Sequence, residues 1–313
     1  MDILPTDEQW GTLTAIPEKR WSFEEDLYFR EVWAEWMAVC DDRPSPRLGT
    51  AALLCAKPDA VVGRRIHPML DYVRSRGFRP FHAQPFSFSR HGMRELWRHD
   101  WHVYPAERLA YSTLWYTSSQ TVGFLLHDDS KPRPGEPASV RLARLKGSAI
   151  ASRRRPDELR SALRPPNSVL NFVHVADEPA DVLRELGILF DRPERIEMLR
   201  AIRDQQDLDR TDAANDIVNE LETRYPAHDL DVQGSLDRLA GTGLLKQADV
   251  RRLQQWMAEG VKLRWNELCA MIDPSEPGID RWDFITVASE LIPLERAGTQ
   301  GLMPAVPADE AWA

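Results

Sequence analysis

The sequence predicts an α+β protein. A ferredoxin-like βαββαβ antiparallel sheet is expected at residues 49–192, after an N-terminal helical extension (1–48) and before an all-helical domain (193–297) and a disordered tail (298–313). Three observations predict it. Short apolar or alternating runs at 49–56, 78–89, 120–128 and 167–175 alternate with segments of helical period. Their order is strand, helix, strand, helices, strand, loop, strand, helix, the split βαβ pattern with a helical pair inserted before the third strand. After about residue 191 strand signals vanish and amphipathic stripes follow one another.

Each element has its own signal. SFEEDLYFREVWAEWMAVC reads as one helix, with Ser22 as N-cap and Glu25 three residues on. Its stripe of Tyr28, Val32, Trp36 and Val39, widened by Phe29, Trp33 and Met37, needs cover from the following domain or from a second subunit. GTAALLCA is a buried strand, and VVGRRIHPMLDYVRSRG a helix closed by Gly77. FRPFHAQPFSFS alternates as a strand; MRELWRHDW and PAERLAYSTLWY are helical; QTVGFLLHD is the third strand. DSKPRPGEPA is a loop, VRLARLKG a short helix, and SAIASRRRPDELRSALRPP mostly loop. NSVLNFVHV is the fourth strand, ending at His174, and EPADVLRELGILF is a helix with Pro179 in its first turn. Helices are expected over 193–209, 212–225, 232–241, 247–272 and 281–292.

Composition limits the function classes. The chain has 313 residues with 40 Lys+Arg against 49 Asp+Glu, a net charge of −9 that disfavours broad nucleic-acid binding. No apolar run reaches the ~20 residues of a membrane helix, and no signal peptide is visible. Three widely spaced cysteines, Cys40, Cys55 and Cys269, argue against a disulfide framework or structural zinc and for a reduced, cytoplasmic protein. The charge is uneven: residues 131–164 carry ten Lys/Arg against three Asp/Glu, whereas the chain from 191 onward is acidic. The middle segment can attract a polyanion.

His174 ends an apolar strand, with Asn171 three residues before it and Glu185 eleven after, on the returning helix. A carboxylate on one ring nitrogen fixes the tautomer and frees the other to attack. Lys57, Arg160 and the Arg141, Arg144 and Lys146 cluster are candidates to neutralise phosphoryl charge. The bland alternative is a structural strand-end histidine beside a solvated basic loop. No GxxxxGK[ST] loop is present. The His228-Asp229 dipeptide lacks further metal ligands, the arginines 153–155 read as a solvated face or substrate loop, and Trp256, Trp265 and Trp282 read as packing.

Over about residues 50–190 these segments resemble the nucleoside diphosphate kinases. ALLCAKPDAVVGRRIHPMLDYVRSRGF resembles that family's first strand, its KPD signature and the helix after it. NFVHVADEPADVLRELGILF resembles the strand of the phosphorylated histidine and its following helix, and RRRPDELRSAL the segment presenting a phosphate-binding arginine. The resemblance implies His174 as nucleophile and Glu185 as its orienter. It implies sugar and phosphate contacts from Lys57 and Asn171, and phosphate binding by Arg160, by Arg144 or Arg141, and by Arg108 across a one-residue gap. Trp97 and Asp177 would be active-site neighbours. It implies Mg²⁺ with ATP or another NTP, ping-pong transfer to a nucleoside diphosphate or a specialised acceptor, and a homo-oligomer; the C-terminal helices would offer a partner surface. Ala176 and Ala149 stand where the family has Ser and Thr, and Leu109, Ala110 or Tyr111 must replace its base-stacking Phe. The competing expectation is a catalytically weak or inactive nucleotide-binding regulatory or scaffold module.

Overall fold

The computed structural model describes residues 4–40, 46–130, 135–205, 209–303 and 312. Four strands, β1 (Ala51–Ala56), β2 (Phe78–Phe86), β3 (Thr121–Asp128) and β4 (Val173–Val175), form one sheet in the order β2-β3-β1-β4. Every neighbouring pair is antiparallel. This is the expected ferredoxin-like order, so the α+β class stands. Every residue of β1 is fully buried. An inner strand covered on both faces needs a continuous apolar run, and AALLCA supplies it.

The helices past residue 191 do not stand apart from the sheet. Arg192–Asp204 packs on β2 and on the N-terminal helix Leu27–Val39, and Thr211–Arg224 packs on β2 and β3. Val232–Gly241 and Gln247–Glu259 pack on Arg281–Leu291, which rests on Ala106–Tyr116. Among the described residues no helix is long and apolar enough to cross a membrane, and Cys40, Cys55 and Cys269 are free thiols.

Several element boundaries differ from expectation, each for a local reason. The N-terminal extension is three helices, Asp7–Leu13, Pro17–Glu24 and Leu27–Val39. Ser22 lies inside the second; Asp26 is the N-cap of the third, its Oδ1 accepting from Phe29 N at 3.1 Å. The helix after β1 is broken into Pro58–Val62 and Ile66–Ser75 by Arg64, at φ +55°. Its guanidinium donates to the carbonyls of Val61, Glu222 and Tyr225, a tertiary clasp that local sequence does not show. Gly77 closes the second piece, at φ +85°. The expected 167–175 strand pairs only over Val173–Val175, because Asn167 Oδ1 accepts from Val169 N and Leu170 N and bends the chain first. The expected 247–272 helix stops at Gly260, whose left-handed φ of +69° caps Gln247–Glu259. Of the tail expected to be disordered, Leu302 N donates to His99 O and Gln300 O meets His102 Nε2 at 2.6 Å; residues 304–311 and 313 lie outside the described residues. Residues 41–45 and 131–134, within the expected linker and loop, also lie outside them.

Of the two covers expected for the aromatic helix, the chain itself supplies one. Phe29, Val32, Trp33, Trp36 and Met37 are buried, and Leu27–Val39 packs against Pro179–Leu189 and Arg192–Asp204. Two buried ion pairs hold it there: Arg184 Nε to Asp26 Oδ2 at 2.8 Å, and Arg195 bidentate to Glu35 at 2.9 and 3.0 Å. Gly187 sets the closeness of approach, since a Cβ there would lie 2.9 Å from both Tyr28 O and Val32 Cγ2. We expect Gly187→Ala to cost about 1–3 kcal/mol by forcing these helices apart. A urea unfolding midpoint equal to that of wild type would refute this packing argument.

Candidate active site

His174 sits in β4 opposite Cys55 of β1, on a strand only three residues long. The helix Pro179–Leu189 returns over the sheet and brings Glu185 to it. His174 Nε2 lies 2.9 Å from both Glu185 carboxylate oxygens. A carboxylate only accepts, so the neutral ring carries its proton on Nε2 and leaves Nδ1 as a lone pair. Trp97 packs edge-on against the imidazole, with centroids 5.3 Å apart and an interplanar angle of 79°. His174 lines a cavity of about 170 Å³, and Glu185 does not. The ring nitrogen that Glu185 leaves free is therefore Nδ1, on a residue of the cavity wall.

Three cations share that cavity. Lys57 donates to Asn171 Oδ1 and lies 4.6 Å from the Trp115 ring centroid. Burial pulls its ammonium down to about 7; Asp59 opposes this shift, and Arg160 and Arg108 add to it. Arg160 is anchored by Nη1 on Gly147 O and Nη2 on Val173 O, at 2.7 and 3.0 Å. Burial, then Arg154, pulls its guanidinium down to about 10. Arg108 lies 5.7–5.9 Å from the rings of Tyr104, Tyr111 and Trp115. Arg160 Nε and Arg108 Nη1 are buried without a hydrogen-bond partner. Each such donor costs about 1–3 kcal/mol, and both side chains belong to residues that line the cavity.

The KPD segment divides into two roles. Lys57 faces the cavity. Asp59, fully buried, accepts from Phe172 N at 2.8 Å, and Lys57 N donates to Phe172 O at 2.9 Å. These bonds hold Phe172 at φ +70°, a costly conformation for a bulky residue, two positions before His174. Burial raises the Asp59 carboxyl above its ordinary range against the pull of Lys57.

Thus His174, Glu185, Lys57, Asn171, Arg108, Arg160 and Trp97 come together. Other expected residues do not. Arg141 is drawn away by Asp128 Oδ1 at 2.8 Å and Arg76 O at 2.5 Å, over the ring of Phe78. Arg144 pairs with Glu136. Neither lines the cavity; both are held by other partners away from it. Asp177 pairs with Lys146 at 3.0 Å, off the cavity wall; burial favours its neutral form, but Lys146 and Lys19 outweigh burial and hold it below the usual range. Tyr111 is buried, and neither it, Leu109 nor Ala110 lines the cavity as a base platform. Ala149 does line it, and Ala176 is buried.

His228, Asp280 and Asp283 bring ligand atoms within 4.8 Å of one another, but Arg238 donates to Asp283 at 2.7 Å and Asp280 caps a helix, which makes the group an ion-pair clasp. Arg154 is tied to backbone carbonyls and Arg155 to Glu158. Trp256, Trp265 and Trp282 pack against the core.

The sequence reading missed the walls: Trp101, Tyr104, Ser112, Trp115 and Tyr116, with Leu294 and Glu295. The crowding of six aromatic residues, Trp97, Trp101, Tyr104, Tyr111, Trp115 and Tyr116, within twenty positions was the available signal.

The chain matches no protein-family model and no curated protein. Among solved structures it is similar to the nucleoside diphosphate kinase of Aquifex aeolicus, at 20% identity over 46% of this chain and 96% of that one, with a TM-score of 0.38. It is also similar to the nucleoside diphosphate kinase from Encephalitozoon cuniculi, at 12% identity over 44% of this chain and 87% of that one, with a TM-score of 0.37.

Lys57 makes anion binding pH-dependent. Its ammonium titrates near 7 instead of 10.5, and an anion favours the charged form. Below that value Lys57 is already charged. Above it, binding must take up a proton, so affinity falls as pH rises. For sulfate, whose own charge is constant over this range, we expect Kd to rise toward about tenfold per pH unit between pH 7 and 9. Calorimetry in two buffers of different ionisation enthalpy should show the proton uptake, and Lys57→Met should abolish it. A flat Kd would contradict the assignment.

Proposed function

We propose that this protein is a phosphotransferase that moves the γ-phosphoryl group of a nucleoside triphosphate, through a phosphohistidine at His174, to a nucleoside diphosphate or a related acceptor. One observation carries the reading. His174, with Nε2 held by Glu185 and Nδ1 left as a lone pair, lines one cavity together with the cations Lys57, Arg108 and Arg160. The resemblance of the KPD and NFVHVADEP segments points the same way.

The chemistry balances on these residues. His174 Nδ1 attacks the γ-phosphorus, a P–N bond forms, the bond from that phosphorus to the β,γ-bridging oxygen breaks, and the diphosphate leaves. The Nε2 proton stays on the ring, and the Glu185 carboxylate balances the positive charge that develops there. The Arg160 and Arg108 guanidinium groups stabilise the charge on the transferring oxygens, and Lys57 adds charge beside them. In the second half, an acceptor oxygen attacks the phosphohistidine and restores the free ring. The cavity wall carries Lys57, Arg108 and Arg160 and one carboxylate, the exposed Glu295. Mg²⁺ therefore enters as the nucleotide's own counter-ion, held by its phosphates. At about 170 Å³ the cavity takes a phosphate chain, while ligand pockets usually span ~300–1,000 Å³. The nucleoside end accordingly lies outside the cavity.

A second reading, a nucleotide-binding module without turnover, is favoured by Ala149, which gives the wall a methyl group where the resemblance implies a hydroxyl. Incubation with γ-labelled ATP and Mg²⁺ separates the two. The phosphotransferase acquires an acid-labile, base-stable label that leaves on adding a nucleoside diphosphate. His174→Asn acquires none, and Arg160→Ala labels on the order of 10²–10³-fold more slowly. Wild-type protein that binds ATP and stays unlabelled is the module.

A further inference from the structure

Glu185 orients His174, but what orients Glu185? Among the described residues His174 is its only hydrogen-bond partner. No side chain of the sheet holds the carboxylate from behind, and Ala176 is apolar and buried. The aim of Glu185 thus depends on where its helix, Pro179–Leu189, sits.

That helix is gripped by the N-terminal extension along one stripe: Glu178, Asp181, Arg184 and Gly187, each three residues from the next. Lys19 Nζ lies 2.7 Å from Glu178 Oε2 and 2.5 Å from Asp181 Oδ2. Thr14 Oγ1 and Ala15 N donate to the two Glu178 oxygens at 2.6 and 2.9 Å. Arg184, adjacent to Glu185, donates to Asp26 and to Glu95 O, both at 2.8 Å. Gly187 meets the backbone at Tyr28. Lys19, Glu178, Asp26 and Arg184 are all buried. Long surface side chains have no need of this arrangement; it fixes both the translation and the rotation of the helix.

We infer that the N-terminal extension is a positioning element of the active site, and that Lys19 is its key residue, locking the first turn of the Glu185 helix so that both carboxylate oxygens meet His174 Nε2. Its place in catalysis rests on the phosphotransfer reading; its effect on the imidazole does not. Charge gives Lys19 a second part. Burial pushes the Asp181 carboxyl up to about 6, with Asp177 and Glu185 adding to the shift and Lys19 opposing it. Lys19 therefore balances carboxylates that would otherwise repel Glu185 from its helix neighbours.

The test uses the full chain and two readouts. Ring ¹⁵N NMR reports the His174 tautomer without turnover, and γ-labelled ATP reports phosphohistidine formation. Wild type should show the Nε2–H tautomer. Lys19→Met should show a mixture of Nε2–H and Nδ1–H and label on the order of 100-fold more slowly, with Kd for sulfate unchanged. Lys19→Arg should restore both readouts. Arg20→Ala, on the same helix but with Asp7, Glu24 and the Trp10 ring as its partners and no contact to Glu178 or Asp181, should leave both as in wild type. If Lys19→Met does not fold, Thr14→Val, which removes one bond to Glu178, should shift the tautomer in the same direction. A wild-type tautomer in a folded Lys19→Met or Thr14→Val protein overturns the inference, whatever the labelling does. A shifted tautomer in a chain that never labels, even as wild type, upholds the positioning and removes the phosphotransfer reading instead.

Discussion

The contact of His174 Nε2 with the Glu185 carboxylate governs the rest of the site. It selects one tautomer, so it decides which ring nitrogen is a lone pair on a residue that lines the cavity. The register of β1 with β4 and the return of Pro179–Leu189 exist, from the site's point of view, to keep two residues eleven apart within hydrogen-bond reach. The grip of the N-terminal helices on that same helix extends the constraint to the first forty residues of the chain.

Around the imidazole the structure accepts costs that a purely structural pocket avoids. Lys57, Arg108 and Arg160 lie together against aromatic rings, with Asp59 as their buried carboxylate. Burial shifts Lys57 and Arg160 toward their neutral forms, and two guanidinium N–H groups lack partners. Phe172 adds backbone strain next to the nucleophile. An anion in the cavity favours the charged forms of Lys57 and Arg160 against the burial that pulls both down. Backbone strain at Phe172 and shifted cations meet at this cavity, where sequence consistency gives way to chemistry.

Much of this was readable from residue order. The strand runs, the helix with Pro179 in its first turn and the positions of His174, Glu185, Lys57 and Asn171 follow from periodicity and motif spacing, because these are properties of contiguous residues. What escaped the reading depends on partners distant in sequence. Arg141 and Arg144 look identical to phosphate ligands in a basic loop; only the fold shows Asp128 and Glu136 beside them. Arg64 breaks a helix because carbonyls more than 150 residues away accept its guanidinium. Trp115 and Tyr116 escape the reading because an aromatic pair on a helix gives no sign of which side of it bounds a cavity. Asp26, not Ser22, caps the third helix because Arg184 also needs its carboxylate.

A structure of the chain with a non-hydrolysable triphosphate analogue and Mg²⁺ tests the central claim most directly. The account predicts the terminal phosphorus facing His174 Nδ1, with Arg160 Nε and Arg108 Nη1 donating to its oxygens and Glu185 still on Nε2. A triphosphate bound elsewhere on the molecule, or one seated in the cavity with Nδ1 turned away and both donors still unpartnered, contradicts it.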